Sequence, residues 1–240
     1  LMIKSKKSLS QNFLIDNNIS NKIIDQTNVN NKVILEIGPG YGILTDHILK
    51  RNPNYIILIE KDNNLKKILV QKYKYNRKVK IIGDDILKYD LSNLNDLIII
   101  SNLPYNISTK IILYLFNYNK NISEMIFMIQ KEVACKFDYN LPKMNKYKFL
   151  TKILSKYKRC FDVSAKVFVP KPKVRSTVVK FKFNKQNVNL EKANNFVKLI
   201  FKNIMKKIYN NLKIKSDIQL INKRVNQLTI DELLTIYDFF

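Results

Sequence analysis

Residues 33–42 read Val33-Ile34-Leu35-Glu36-Ile37-Gly38-Pro39-Gly40-Tyr41-Gly42. A short apolar run stops at three glycines spaced two apart. Val33–Ile37 has the length and β-branched content of a strand buried on both faces. Glycines let the backbone turn tightly there and approach a ligand closely. Helical periodicity follows at Ile43, Leu44, Ile48 and Leu49. The turn thus leads into a helix whose first amides favour electronegative groups. Strand, glycine turn and helix open an α/β unit. An ordinary structural turn would use the same glycines, so the motif alone names no ligand.

The alternation continues downstream. Tyr55–Ile59 reads as a second strand ending at Glu60, residues 64–74 as a helix, and Val79–Ile82 as a third strand ending in Gly83-Asp84-Asp85. Residues 97–101 form a fourth strand ending in Asn102-Leu103-Pro104-Tyr105. A helix over 107–116 and a fifth strand over 125–129 follow. Strands alternating with helices predict a parallel sheet covered on both faces. Residues 174–183 alternate as a late strand, 184–189 are a polar linker, and 190–240 show helical periodicity alone. The expected architecture is a doubly wound, Rossmann-like α/β domain over residues 1–184 and a small helical domain over 185–240.

Composition narrows the function. The 240 residues include 43 Lys plus Arg against 19 Asp plus Glu, a formal charge of +24. Such an excess points to a polyanionic partner, nucleic acid first and an anionic membrane surface second. Residues 131–182 carry 15 basic and 3 acidic side chains. Only five of the basic residues are Arg, and the abundance of Lys, Asn and Ile reflects an AT-rich genome. No apolar run approaches the ~20 residues that span a bilayer; of the two polyanions nucleic acid is the expected partner, and no membrane is. Cys135 and Cys160 lack CxxC spacing and read as small buried hydrophobes. His47 is the only histidine. That excludes a His-rich metal site and argues against a Ser-His-Asp triad; no metal is expected, and His47 reads as a surface residue.

Three strand ends suggest an adenosine site. Glu60, 18 residues after Gly42, can accept hydrogen bonds from ribose hydroxyls. Asp84 or Asp85 can accept from an adenine amino group. A nicotinamide dinucleotide would satisfy these groups too, but the G-x-G-x-x-G phosphate fingerprint is absent. That tilts the choice to S-adenosylmethionine, which has no pyrophosphate. The fourth strand end decides the chemistry. Methylating the exocyclic amine of adenine requires a lone pair that the ring delocalises. The Asn102 side-chain oxygen and a backbone carbonyl held by Pro104 can accept both N6 hydrogens and draw the nitrogen toward sp³. Tyr105 offers a ring on which a flipped-out base stacks, worth ~1–3 kcal/mol.

With these residues in view, the chain resembles the rRNA adenine N6,N6-dimethyltransferases of the KsgA/Erm family, nearer to the KsgA branch. Ser10-Gln11-Asn12-Phe13-Leu14 is similar to the family's Q-N-F-L motif, Glu36 through Gly42 to E-x-G-P-G-x-G, and Asn102 through Tyr105 to N-L-P-Y. Gln130-Lys131-Glu132-Val133 resembles its Q-K-E-V segment, and residues 168–176 resemble F-x-P-x-P-K-V-x-S. The resemblance implies that Asn12 and Leu14 lie over the cofactor. It places Gly38 against the cofactor through its backbone, Glu60 on the ribose and Asp85 on the adenine. Asn102 falls between cofactor and target amine, and Tyr105 and Phe168 sandwich the target base. Read from the residues alone, Phe168 is a core position. The implied activity is transfer of two methyl groups to each of two adjacent adenines near the 3′ end of small-subunit rRNA during ribosome assembly.

Two stretches depart from the pattern. Tyr147-Lys148-Phe149-Leu150 stands where the family has Y-G-R-L. Ile204 and Met205 replace two arginines of a basic helix that Phe201 to Leu212 otherwise resembles. Two alternatives stay open: Erm-like dimethylation of large-subunit rRNA, and a non-catalytic ribosome-assembly or mitochondrial-transcription factor on the same fold. A monomer is expected, in a bacterial cytoplasm or, alternatively, in the plastid or mitochondrion of an AT-rich eukaryote.

Overall fold

The computed structural model describes residues 12–184, 187–212 and 219–240. Ser10 and Gln11 of the first motif lie outside the described residues. Two compact units are present, one formed by Leu1–Ala134 with Lys158–Phe183, the other by Cys135–Tyr157 with Asn184–Phe240. A stretch inside the expected first domain therefore groups with the C-terminal residues.

The chain runs through β1 (Phe13–Leu14), α1 (Asn17–Ile24), β2 (Val33–Ile37), α2 (Ile43–Leu49), β3 (Tyr55–Ile59), α3 (Asn63–Tyr73) and β4 (Val79–Ile82). β5 (Leu97–Asn102), α4 (Ser108–Phe116), β6 (Ile122–Gln130), α5 (Lys131–Phe137), α6 (Lys146–Leu154) and β7 (Ser155–Val163) follow. β8 (Phe168–Val169), β9 (Ser176–Phe183), α7 (Leu190–Ile200), α8 (Ile208–Leu212) and α9 (Ile230–Asp238) complete it.

Among the described residues, seven strands form one sheet in the order β4-β3-β2-β5-β6-β9-β7. The first five are parallel, and β9 joins β6 antiparallel. Alternate residues of each strand face opposite sides. Ile34, Ile56, Leu58, Ile98 and Ile100 share one apolar cluster with Ile24 of α1, Leu44 and Ile48 of α2, and Leu69 of α3. Phe116 of α4 meets Phe181 with ring centroids 5.9 Å apart, and Phe127 lies 6.4 Å from the same ring. Right-handed crossovers explain the two faces. The sheet grows one way from β2 through β3 to β4, then the other way from β5 to β6, so α4 lies opposite α2 and α3.

Three sequence expectations need correction. The strand β7 was not foreseen, because exposed Lys156 and Lys158 alternate with buried Ser155 and Tyr157 and mask its apolar face. His47 is 5% exposed and not on the surface: α1 covers it, and Asn17 Oδ1 lies 3.0 Å from its Nε2. Cys135 and Cys160 are half-buried and not fully enclosed.

The second unit is built on aromatic rings. Phe149, Phe196 and Tyr237 meet with centroid separations of 5.1 to 5.2 Å, and Phe240 lies 5.2 Å from Phe196. Phe149 therefore serves as a core residue where the family pattern has arginine. Lys148 is 3% exposed, and its ammonium donates to the carbonyls of Leu141 and Pro142 at 2.6 Å and of Lys143 at 3.2 Å. Thr229 and Glu232 cap α9 reciprocally.

Glu36 ties β2 to α2. Its side chain is 2% exposed, and Thr45 donates to Oε2 at 2.6 Å. Burial pushes the Glu36 carboxyl from 4.5 up to about 8, against the opposing effect of the Thr45 bond and with help from the Asp46 charge. Between those values the folded state holds a proton that the unfolded chain has lost, so stability falls as pH rises through the window. Glu36→Gln removes this titration and keeps an acceptor for Thr45. Its stability advantage over wild type should widen between about pH 5 and pH 8, reaching on the order of a few kcal/mol. Thermal denaturation across that range checks this; a constant difference would refute it.

Candidate functional site

Open α/β sheets bind ligands beyond the carboxyl ends of their strands, where the strand order reverses. Here the reversal falls between β2 and β5. Ile37 N–H donates to the buried Ser101 Oγ at 2.7 Å, which locks the two strand ends together. A cleft of about 340 Å³ opens at this point.

The glycine turn forms one wall. Gly38 has φ +62°, and a Cβ there would meet nothing within 4 Å. Since Gly38 lines the cleft, its backbone stands open to a ligand. Gly40 has φ +60°, and a Cβ would come 2.9 Å from the Phe13 ring. Only glycine lets Phe13 close over the turn, where its ring also packs edge-on to Tyr41 at 4.9 Å.

Two acidic strand ends follow. Glu60 is 6% exposed; Oε2 accepts from Gly40 N–H at 3.3 Å and Oε1 from Asp62 N–H at 2.8 Å. Burial raises the Glu60 carboxyl, and those amides oppose the rise. Burial alone would raise Asp85 as well. There Lys61 Nζ at 2.8 Å and Leu87 N–H at 3.1 Å win, and the carboxyl is held below its ordinary value.

The fourth strand end carries the decisive geometry. Asn102 Nδ2 donates to the Asn12 carbonyl at 2.9 Å. A carbonyl can only accept, so the amide nitrogen faces Asn12 and the oxygen points away from it. That Oδ1 is buried and accepts no hydrogen bond from any described residue. Leaving a buried acceptor unmatched costs ~1–3 kcal/mol, so the position is suited to an N–H donor from a ligand. Next along the chain, Leu103 N–H donates to the Met128 carbonyl at 3.1 Å, and Ile107 N–H closes on the Pro104 carbonyl at 3.3 Å. These bonds fix the turn that presents the Tyr105 ring.

Nine of the ten candidate residues share this cleft. Asn12, Leu14, Gly38, Glu60 and Asp85 line it, as do Asn102, Leu103, Pro104 and Tyr105. Phe168 does not. It is 2% exposed, belongs to the apolar core, and pairs across β8 and β1 with Leu14. Sequence reasoning missed Ile86 and Lys61, which also line the cleft. An apolar residue directly after the Asp84-Asp85 pair was the available signal for Ile86. Glu36, Glu60, Asp84 and Asp85 reach the cleft against a single described cation, Lys61. In a chain of charge +24 this is a local reversal of sign. It suits a ligand with hydroxyl and amine donors and a positive centre.

Residues 2–240 match the family described as Ribosomal RNA adenine dimethylase. Ribosomal RNA small subunit methyltransferase A of Malacoplasma penetrans (strain HF-2) is 38% identical over 234 residues, covering 94% of this chain and 84% of that protein. Its namesake in Sulfurihydrogenibium sp. (strain YO3AOP1) is 35% identical over an alignment of 253 residues, covering 98% and 96%. Among solved structures, 23S rRNA methyltransferase ErmE superposes with a TM-score of 0.78 at 19% identity, covering 95% of this chain and 98% of that one. A dimethyladenosine transferase from Plasmodium falciparum gives the same figures. Those two likenesses establish the Rossmann-like methyltransferase fold. The family match over nearly the whole chain and the relatives above one-third identity go further: this chain belongs to the ribosomal RNA adenine dimethylase family.

Proposed function

We propose that this chain transfers methyl groups from S-adenosylmethionine to N6 of two adjacent adenines near the 3′ end of small-subunit rRNA, giving N6,N6-dimethyladenosine during ribosome assembly. The observation that carries the reading is the buried, unmatched Oδ1 of Asn102, held in place by the Asn12 carbonyl. The small-subunit assignment draws on the relatives at 35–38% identity.

The cleft fits the cofactor. Gly38 leaves its backbone open, Glu60 offers carboxylate lone pairs to ribose hydroxyls, and Asp85 retains acceptor capacity for an adenine amine. Asn12 and Leu14 cover the group. When bound, S-adenosylmethionine supplies an electrophilic methyl on a sulfonium. For the first transfer Asn102 Oδ1 would accept one N6 hydrogen and a carbonyl of the Pro104 turn the other, freeing the nitrogen lone pair and aiming it in line; for the second a single N6 hydrogen remains to be accepted, and each transfer releases one N6 proton to solvent. Orientation supplies most of the acceleration, and no strong base is required. Tyr105 gives the base one stacking face. The second face, assigned by resemblance to Phe168, requires that side chain to leave its core position.

The helical residues serve as the RNA-docking element in this reading. Between Glu191 and Asp217 the sequence holds seven lysines and no acidic residue. Lysines tracking phosphates make binding fall steeply with salt. In this reading the protein acts as a monomer, and the bacterial source of its relatives favours a bacterial cytoplasm over an organelle.

The direct test is transfer of labelled methyl from S-adenosylmethionine to purified small and large ribosomal subunits in parallel. Label should appear in the small subunit as N6,N6-dimethyladenosine. Asn102→Ala should lower the rate by at least ~100-fold while cofactor binding persists. Label confined to the large subunit would replace this reading with the Erm-like one. Absence of label from both, with the cofactor bound, would favour a non-catalytic assembly factor.

Cofactor affinity should also report Glu60. Its raised carboxyl protonates at a higher pH than an ordinary glutamate, and the neutral form loses acceptor strength. Glu36 at about 8 is already protonated through this range, and Asp85, held low, stays ionised. Titration calorimetry should therefore show S-adenosylmethionine binding weaken from pH 7 to pH 5. Glu60→Gln should bind about tenfold more weakly at pH 7 and lose that slope. An unchanged slope in the variant would remove Glu60 from the site.

A further inference from the structure

We propose that Ser176 is a positioning residue for methyl transfer: its buried hydroxyl sets the plane of the Tyr105 ring on which the target base stacks. The inference rests on the stacking role proposed above for Tyr105. Stacking uses only a ring face, which phenylalanine would supply equally well, so the phenolic oxygen calls for its own account. Tyr105 Oη and Ser176 Oγ lie 2.5 Å apart, and Ser176 is fully enclosed at 0% exposure. A phenolic O–H and its lone pairs lie near the ring plane. A hydrogen bond to Oη therefore fixes ring orientation as well as the position of its tip.

The support beneath the serine is rigid. Ser176 opens β9 and pairs opposite Gln130 of β6. On one side Lys131 N–H donates to the Arg175 carbonyl at 3.0 Å. On the other, the Thr177 hydroxyl donates to Asp162 Oδ1 at 2.7 Å, while Lys131 Nζ grips Asp162 Oδ2 at 2.6 Å. Tyr105 sits instead on the turn between β5 and α4. The contact thus ties a turn residue to a paired strand 71 residues away in the chain. Burial raises the phenol above its ordinary value, so it stays neutral and the bond persists over the working pH range.

Tyr105→Phe, Ser176→Ala and the double variant form a thermodynamic cycle, with Tyr105→Ala as the reference for the ring itself. Each is assayed on unmethylated small ribosomal subunits, with kcat expressed per S-adenosylmethionine-binding site. Each single variant should lower kcat about tenfold with cofactor affinity unchanged, and the double variant should fall no further. A merely structural serine would lower the melting temperature and leave kcat per site at the wild-type value. Wild-type kcat in either single variant, or additive losses in the double, would overturn the proposal. Wild-type transfer by Tyr105→Ala would instead overturn the stacking role, and the positioning role with it.

Discussion

The site depends on a single seam, where the Ile37 amide donates to the Ser101 hydroxyl between β2 and β5. Pairing of these strands registers Ile34 with Ile98 and Leu35 with Ile99. Two residues further along both strands, a side-chain oxygen takes over as acceptor for the backbone amide. The strands can then part above Ile37 without leaving that buried N–H unmatched. The helices after β2 and β5 leave toward opposite faces of the sheet, so the parting widens into a cleft. Gly38 and Asn102 stand on its two sides because each is the first residue beyond, or the last residue of, a strand locked at this seam.

The cleft gathers four carboxyl groups in a strongly basic protein, and the mutual repulsion is handled locally. Glu36 loses its charge through burial. Asp85 shares its charge with Lys61. Burial raises the Glu60 carboxyl, and backbone N–H donors, Asp62 and Gly40 first among them, offset part of the rise. The excess lysine lies elsewhere in the chain, including the seven between Glu191 and Asp217. A polyanion is thus attracted by the protein as a whole, while the cleft itself favours a cation. One chain can hold an anionic substrate and a cationic methyl donor without the charges that attract one repelling the other.

The sequence made the strand ends legible because each combines an apolar run with a residue that cannot continue it. Gly38, Glu60, Asp85 and Asn102 stand at such junctions, and all four reach the cleft. What stayed hidden depends on partners distant in the chain. His47 looked exposed because its own helix is amphipathic, and α1, from upstream, covers it. The strand β7 was hidden by lysines on its exposed face. Phe149 and Lys148 looked like losses from a family pattern; the fold uses them as a ring cluster and a carbonyl-capping ammonium. Phe168 was read as core from its residue type and as a stacking partner by resemblance, and the structure places it in the core.

An amide at position 102 meets two demands at once in the proposed reaction. One end donates to the Asn12 carbonyl, which fixes the rotation of the terminal group. The other end is a buried acceptor left open to a donor, which the proposed reaction supplies as an amine. A carboxylate at 102 would set two acceptors face to face with Asn12 and lose the fixed rotation. An alcohol would be too short to bridge both partners. A planar amide carries donor and acceptor on one rigid group, and pinning the nitrogen aims the oxygen. A comparable constraint acts at Tyr105, whose hydroxyl lies 2.5 Å from the buried Ser176 hydroxyl and so fixes the plane of the ring.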